Sequence, residues 1–384
     1  MIKVLTAFTE EIDEVDGALA ELLEQLDLDH RLLANSLGII HCYSDFIDSG
    51  VIKALGRKLP FDTVGCTTMS LSSPGFMSQI GLTLTVLTSD TVRFVSGVSQ
   101  PVTDNAAGPV AELYERLISG LPQKPALLMP FLPFLLTVGG NEFIEKLNSL
   151  AGNIPAFGTI AISNEQDYTR IYTFYNGESY PASLVLAALI GDVSPVFLSV
   201  SVTDENILKQ KAIITQVNRN VIETINNIPA VKYFESIGIA KGGDAAGFSS
   251  MPAIIYLKDG SVLTRAIIGS TPDGGMILAG TVPANSSFDL ATMGQEDVVN
   301  SSAAKVTEAL AVANGRGMLI YSCAGRNWAL GMQVMAEHEK VRECIGNAVP
   351  YHFAYSGGEI FPADLGGGKV VNHLQNVSLI ICIL

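Results

Sequence analysis

MLIYSCAGRNWALGMQVMAEHEKVRECIGNAVPYHFAYSGGE, residues 318–359, is the stretch on which the reading of the fold turns. An apolar segment, 318–322, runs through a turn of small residues into a helical pattern over 327–345. Pro350 then breaks the helix, and a second apolar segment, 351–359, ends in small residues. The same order occurs twice more: in 37–43, a helix over 45–59, Pro60 and 63–69; and in 126–134, a helix over 141–150, Pro155 and 156–163. A strand–helix–strand unit of this length closes as a right-handed crossover between parallel strands. The pattern therefore predicts an α/β protein.

Working outward, 80–88 and 92–99 alternate at strand period and are expected to add antiparallel to the first sheet, before a helix at 105–118. Asn176-Gly177 is a strong turn signal and predicts a hairpin of 168–175 with 180–190. A strand at 196–202 closes this part. A second hairpin is expected from 211–216 and 221–225, then a helix at 230–238 and strands at 253–257, 263–268 and 276–278. At the start, 3–8 reads as a strand, and Val15, Ala18, Leu19, Leu22, Leu23 and Leu26 form one helical stripe, with Thr9 the expected cap. Ser301 or Ser302 is expected to cap a helix at 303–313 that Gly315 ends, and the almost wholly apolar 377–384 suits the middle of a sheet. The composition changes near 203–208, so the expectation is two related halves, 1–203 and 204–384, each a mixed β-sheet with packed helices.

Composition narrows the function. Hydrophobic residues make up 48% of 384 and charged residues 16%, enough apolar matter for more than one core. A formal charge of −15 argues against a nucleic-acid partner, because phosphate contacts need clustered Lys and Arg. Residues 1–35 carry nine acids against Lys3 and Arg31, a net of −7, read as a solvated helix face. No basic-then-apolar leader is visible, and the apolar runs 126–138 and 182–190 are too short to span a bilayer. Five scattered cysteines without a Cys-x-x-Cys pair suit a reduced compartment, so a cytoplasmic location is expected.

Several of these residues resemble a known family. Tyr321-Ser322-Cys323-Ala324-Gly325-Arg326 and Ser356-Gly357-Gly358-Glu359-Ile360 resemble the paired signatures of the FIST C-terminal region. Leu374-Gln375-Asn376 before 377–384 resembles its closing turn and strand, and Val64-Gly65-Cys66-Thr67-Thr68 resembles the Gly-Cys-Ser-Thr run of the FIST N-terminal region. The resemblance spans nearly the whole chain. It implies a sensory input module for a small ligand such as an amino acid, acting on an output protein: a histidine kinase, a chemotaxis receptor or a cyclic-dinucleotide enzyme. Met69 and Ser70 depart from the pattern where the family commonly carries an acid, and Gln375-Asn376 stands where it often reads His-Asn. One FIST subset resembles haem-binding nitric oxide sensors, which need an iron-ligating histidine. Gln375 argues against haem here, and no cofactor is expected.

The expected ligand-binding residues are Ser322, Cys323, Gly325, Arg326, Gly358, Glu359 and Asn376. In open α/β sheets ligands bind beyond the carboxyl ends of parallel strands, and a helix N-terminus there favours an anion. Arg326 adds a planar fork suited to a carboxylate. Glu359, placed at the carboxyl end of the partner strand, would accept an ammonium, so the pair would grip both ends of an amino acid. The bland alternative is a structural salt bridge. An enzyme reading would use Cys323 as nucleophile, but a thiol needs a positioned base. His338 falls three turns along the following helix and His352 at the far end of the next strand, so catalysis is not expected. His30, His41, His338, His352 and His373 show no metal-binding spacing, and His41 reads as a satisfied core histidine rather than a haem ligand. Gly366-Gly367-Gly368-Lys369 fails the phosphate-loop spacing at Ala363 and Val370, and Lys241-Gly242-Gly243-Asp244 reads as a turn. Trp328, Met332 and Met335 are expected to fill core.

Overall fold

The computed structural model describes residues 2–164, 169–238 and 251–384. The Lys241–Asp244 turn and Tyr168 lie outside the described residues. Each of the three strand–helix–strand units forms a parallel pair: Asn35–Cys42 with Thr63–Thr67, Leu127–Leu132 with Gly158–Ile160, and Met318–Cys323 with Tyr351–Ser356. Each pair is the centre of its own six-stranded sheet, and the three sheets have one strand order. An antiparallel strand from later in the chain flanks the first member of each pair: Leu82–Ser89, Val185–Ile190 or Leu379–Ile383. An outer strand from earlier in the chain follows: Lys3–Thr9, Arg93–Val98 or Val196–Val200. A two-stranded hairpin flanks the second member. The chain is thus three tandem repeats.

The hairpins are exchanged cyclically. The first repeat sends Leu71–Ser73 and Phe76–Ser78 into the third sheet. The second sends Thr173–Tyr175 and Glu178–Tyr180 into the first, and the third sends Glu359–Asp364 and Val370–Gln375 into the second. Every sheet therefore has one edge completed by a neighbouring repeat. The mixed α/β class is as expected, and residue 204 marks the point where the third repeat is interrupted. The insertion is an eight-stranded sheet built from Ala212–Asn218, Val221–Ile225, Ile228–Pro229, Ala253–Tyr256, Val262–Arg265, Ile267–Ser270, Met276–Leu278 and Ser287–Leu290, with the helix Ala230–Ser236.

The central strands are buried on both faces, which explains their continuous apolar runs. One face of each sheet meets the other two in a shared core of Leu37, Ile39, Cys66, Leu127, Met129, Phe131, Leu319, Tyr321 and Ile380, among others. The outer faces are covered by helices. Ala18, Leu22 and Leu55 cover the first sheet, Leu113, Phe143 and Leu147 the second, and Val306, Ala309 and Val341 the third. Each fully buried Leu, Val or Phe among these contributes about 1.5–3 kcal/mol. The insertion has its own core around Ile214, Ile222, Phe234, Ile255 and Phe288.

Several expectations are corrected. Residues 92–99 join the second sheet rather than the first. Thr9 does not cap: the helix starts at Val15, and the Thr9 hydroxyl accepts the Glu11 N–H and donates to Glu21. The helix expected to start after Ser301 or Ser302 begins at Gln295, where the Asp297 carboxylate accepts the Gly294 N–H, and Asn314 ends it in left-handed conformation. The helix of the third unit is two helices, Ala324–Ala329 and Ala336–Ile345, with Gly331 at φ 59° between them. That break turns Trp328 and Met332 outward, at 43% and 98% exposure, instead of into core.

Candidate functional site

The turn after Met318–Cys323 brings together most of the expected residues and seals them. Arg326, Ser322, Glu359 and Asn376 are all buried. Arg326 does not face Glu359 across an open space; its guanidinium pairs with Glu337, Nε at 3.1 Å and Nη2 at 3.0 Å from Oε1. Its remaining donors reach the Ser201 and Val298 carbonyls and the Ser301 and Ser302 hydroxyls. Glu337 also accepts from Ser302, Ser322 and Tyr355. Every element of the third unit is tied into this network. The helix break at Gly331 is what folds Glu337 back onto Arg326. On one continuous helix, eleven residues would separate the two by about 16 Å.

Glu359 does not end the partner strand. It opens the exchanged strand Glu359–Asp364 and accepts the Ser378 hydroxyl at 2.8 Å, while its Oε1 has no hydrogen-bond partner among the described residues. Burial pushes its carboxyl from 4.5 up to about 8. Burial, and then the adjacent Glu359, push the Cys323 thiol well up, the reverse of what activates a nucleophile. Gly325 packs near Val377 and Gly358 near Leu374 and Asn376. His338 is held between the Ser70 and Ser72 hydroxyls at 2.9 Å each, with burial driving its pKa down to about 3.

His41 is buried as expected but is not satisfied: neither ring nitrogen has a partner among the described residues. It stacks on His352 with centroids 4.5 Å apart and touches Phe131 and Tyr321. The ring is fully buried among these three aromatic side chains. Among the described residues no group of three or more His, Cys, Asp or Glu could hold a metal ion. No helix among them is long and apolar enough to cross a membrane.

An open cleft of about 470 Å³ lies elsewhere, where the insertion meets the helix Gly140–Ala151 and the exchanged strand Val370–Gln375. Its walls include Ile144, Leu257, Leu263, Val282 and Leu374, with Asn141, Glu145, Arg219, Arg265 and His373. Arg265 is completely buried. Its Nε donates to the Thr281 carbonyl at 3.2 Å, and Nη1 to the carbonyls of Thr264 at 3.2 Å and Leu374 at 2.7 Å. Nη2 has no partner, and no acid among the described residues pairs with the group. Desolvation pushes its pKa down to about 10, so it remains a cation at neutral pH. Gly280, at φ 154°, makes room for it: a Cβ there would lie 2.8 Å from both Arg265 Nε and Asn141 Oδ1. His373 Nε2, in the same wall, also lacks a partner.

Sequence reasoning missed Arg265, although a signal was present. In the expected strand 263–268, Leu263, Arg265 and Ile267 fall on one face at period two, so the pattern places a charge at an inward position. The expected residue Asn376 lies beside this cleft: its N–H donates to the Thr264 carbonyl, and Gln375 bonds Thr264 and Val262.

A search among curated proteins finds no match. The model of the FIST N domain matches residues 36–228, and that of the FIST C domain matches residues 221–362. Domains of this kind are generally taken as signal-transduction sensor domains. With these two matches covering most of its length, the chain belongs to the FIST family.

Proposed function

We propose that the protein senses a small carboxylate or similar anion, seats it in the cleft around Arg265, and passes the state of that cleft to an output protein such as a histidine kinase. The observation that carries this reading is the buried guanidinium at the wall of an open cleft, without a countercharge among the described residues. A buried charge is costly unless paired, and a carboxylate is the partner whose geometry matches the fork. Around it the aliphatic walls suit an apolar ligand body. The cleft also lies between the insertion and two different repeats, so a ligand bridging them would bias how they pack. This is the differential contact a sensor requires. Arg326 takes no part, because Glu337 and the surrounding oxygens already satisfy it. The reading includes no catalysis by the chain, consistent with the raised thiol of Cys323 and the low-pKa histidines.

A thermal-shift series of small carboxylates and inorganic anions tests it. At least one anion should raise the Tm of the wild type and leave that of Arg265→Met unchanged. Stabilisation by none of them, or equal stabilisation of the variant, would overturn the proposal.

A further inference from the structure

We infer that the anion is held between two donors, Arg265 and His373, and that a proton from solvent is taken up by the imidazole as the ligand arrives, so the cleft tightens on acidification; this rests on reading the cleft as the ligand site. His373 lies on the exchanged strand Val370–Gln375, one residue before Leu374, whose carbonyl receives Arg265 Nη1 at 2.7 Å. Both residues belong to the lining of the cleft, and each has a buried side-chain nitrogen without a partner among the described residues. Two unengaged nitrogens beside one hollow can serve the two oxygens of a carboxylate.

The charges around the ring decide the sign. Burial lowers the affinity of His373 for a proton, Arg265 lowers it further, and Asp259, in the turn before Val262–Arg265, raises it. Lys369 approaches from the hairpin turn through Asp259, and Glu145 and Arg219 belong to the remaining walls. An anion placed between Arg265 and His373 offsets the repulsion from Arg265 and adds an attraction of its own. Both effects favour the imidazolium. By linkage, whatever favours the protonated ring in the complex makes binding stronger where the free site is unprotonated and protons are available.

Calorimetric titration of the full chain with 4-methylpentanoate, benzoate and sulfate, all anionic from about pH 5.5 to about pH 8, tests the inference across the ordinary histidine range. The expected result is affinity about tenfold higher at the acid end, with proton uptake revealed by buffers of different ionisation enthalpy. His373→Gln should bind the anion about tenfold more weakly than wild type at the acid end, still through Arg265, and should lose both the pH slope and the proton uptake, with His373→Asn as the second variant should Gln perturb folding. A flat pH profile for an Arg265-dependent anion, or an unchanged slope in both His373 variants, overturns the inference and leaves the anion-binding reading intact. If none of the three anions binds in a way that Arg265→Lys weakens, both fall.

Discussion

A buried guanidinium is tolerated when its donors are satisfied and its charge is met. Arg326 has its charge met by Glu337 and its other donors met by carbonyls and hydroxyls, while Arg265 has three carbonyl contacts and, among the described residues, no acid and one nitrogen with nothing. The two groups should respond oppositely to mutation. Arg326→Met strands the Glu337 carboxylate in the interior and should cost about 3–5 kcal/mol in urea unfolding, much of it regained when Glu337→Leu is added. A double variant no better than the single would show that the pair is not what matters there. Glu359 gives a second residue-scale prediction. Its folded pKa of about 8 exceeds the unfolded 4.5, so the fold retains a proton that the unfolded chain releases. That contribution is complete below about pH 4.5 and disappears as pH rises through about 8. Glu359→Gln should match the wild type in Tm near pH 4.5 and exceed it above pH 8; a pH-independent difference would contradict this.

At the scale of elements, the three strand–helix–strand units were legible because each is local: its apolar runs, its proline and its helix lie within about forty residues. The exchanged hairpins were not. A hairpin's sequence states that two strands pair, as Asn176-Gly177 does, but says nothing about which sheet its free edge completes. The third-unit helix was misread for a related reason: its period survives the break at Gly331, so the pattern could not report the fold-back that joins Glu337 to Arg326. Asn372 shows what secures an exchanged strand. It shares three hydrogen bonds with Asn148 on the cleft helix, accepts the Ala156 N–H at 2.7 Å and donates to the Ile154 carbonyl at 3.1 Å. Asn372→Ala leaves buried backbone groups unpaired and should destabilise the protein by about 2–4 kcal/mol in denaturant titration. A loss below about 0.5 kcal/mol would mean that the hairpin is held by other contacts.

For the whole molecule, exchange of hairpins among three sheets implies that no repeat is complete alone and that unfolding should be cooperative across all three. The buried histidines also carry an acid sensitivity. His338 and His352 are driven down to about 3 by burial, and His41 is lowered in the same direction. In the unfolded chain these rings bind protons below about 6.5, so stability present above that value should fall steadily as the pH drops toward 3. His338→Gln should flatten part of that slope in Tm measurements, and an unchanged slope would place the sensitivity elsewhere. The proposed responsive surface is the junction of the insertion with the second sheet, not the sealed turn at Arg326. Hydrogen–deuterium exchange with and without the most stabilising anion of the thermal series tests it directly. Added protection is expected in Val262–Arg265, 279–283 and Val370–Gln375, absent in Arg265→Met. Protection centred on Met318–Cys323 and Ala324–Ala329, or none at the cleft, would contradict it.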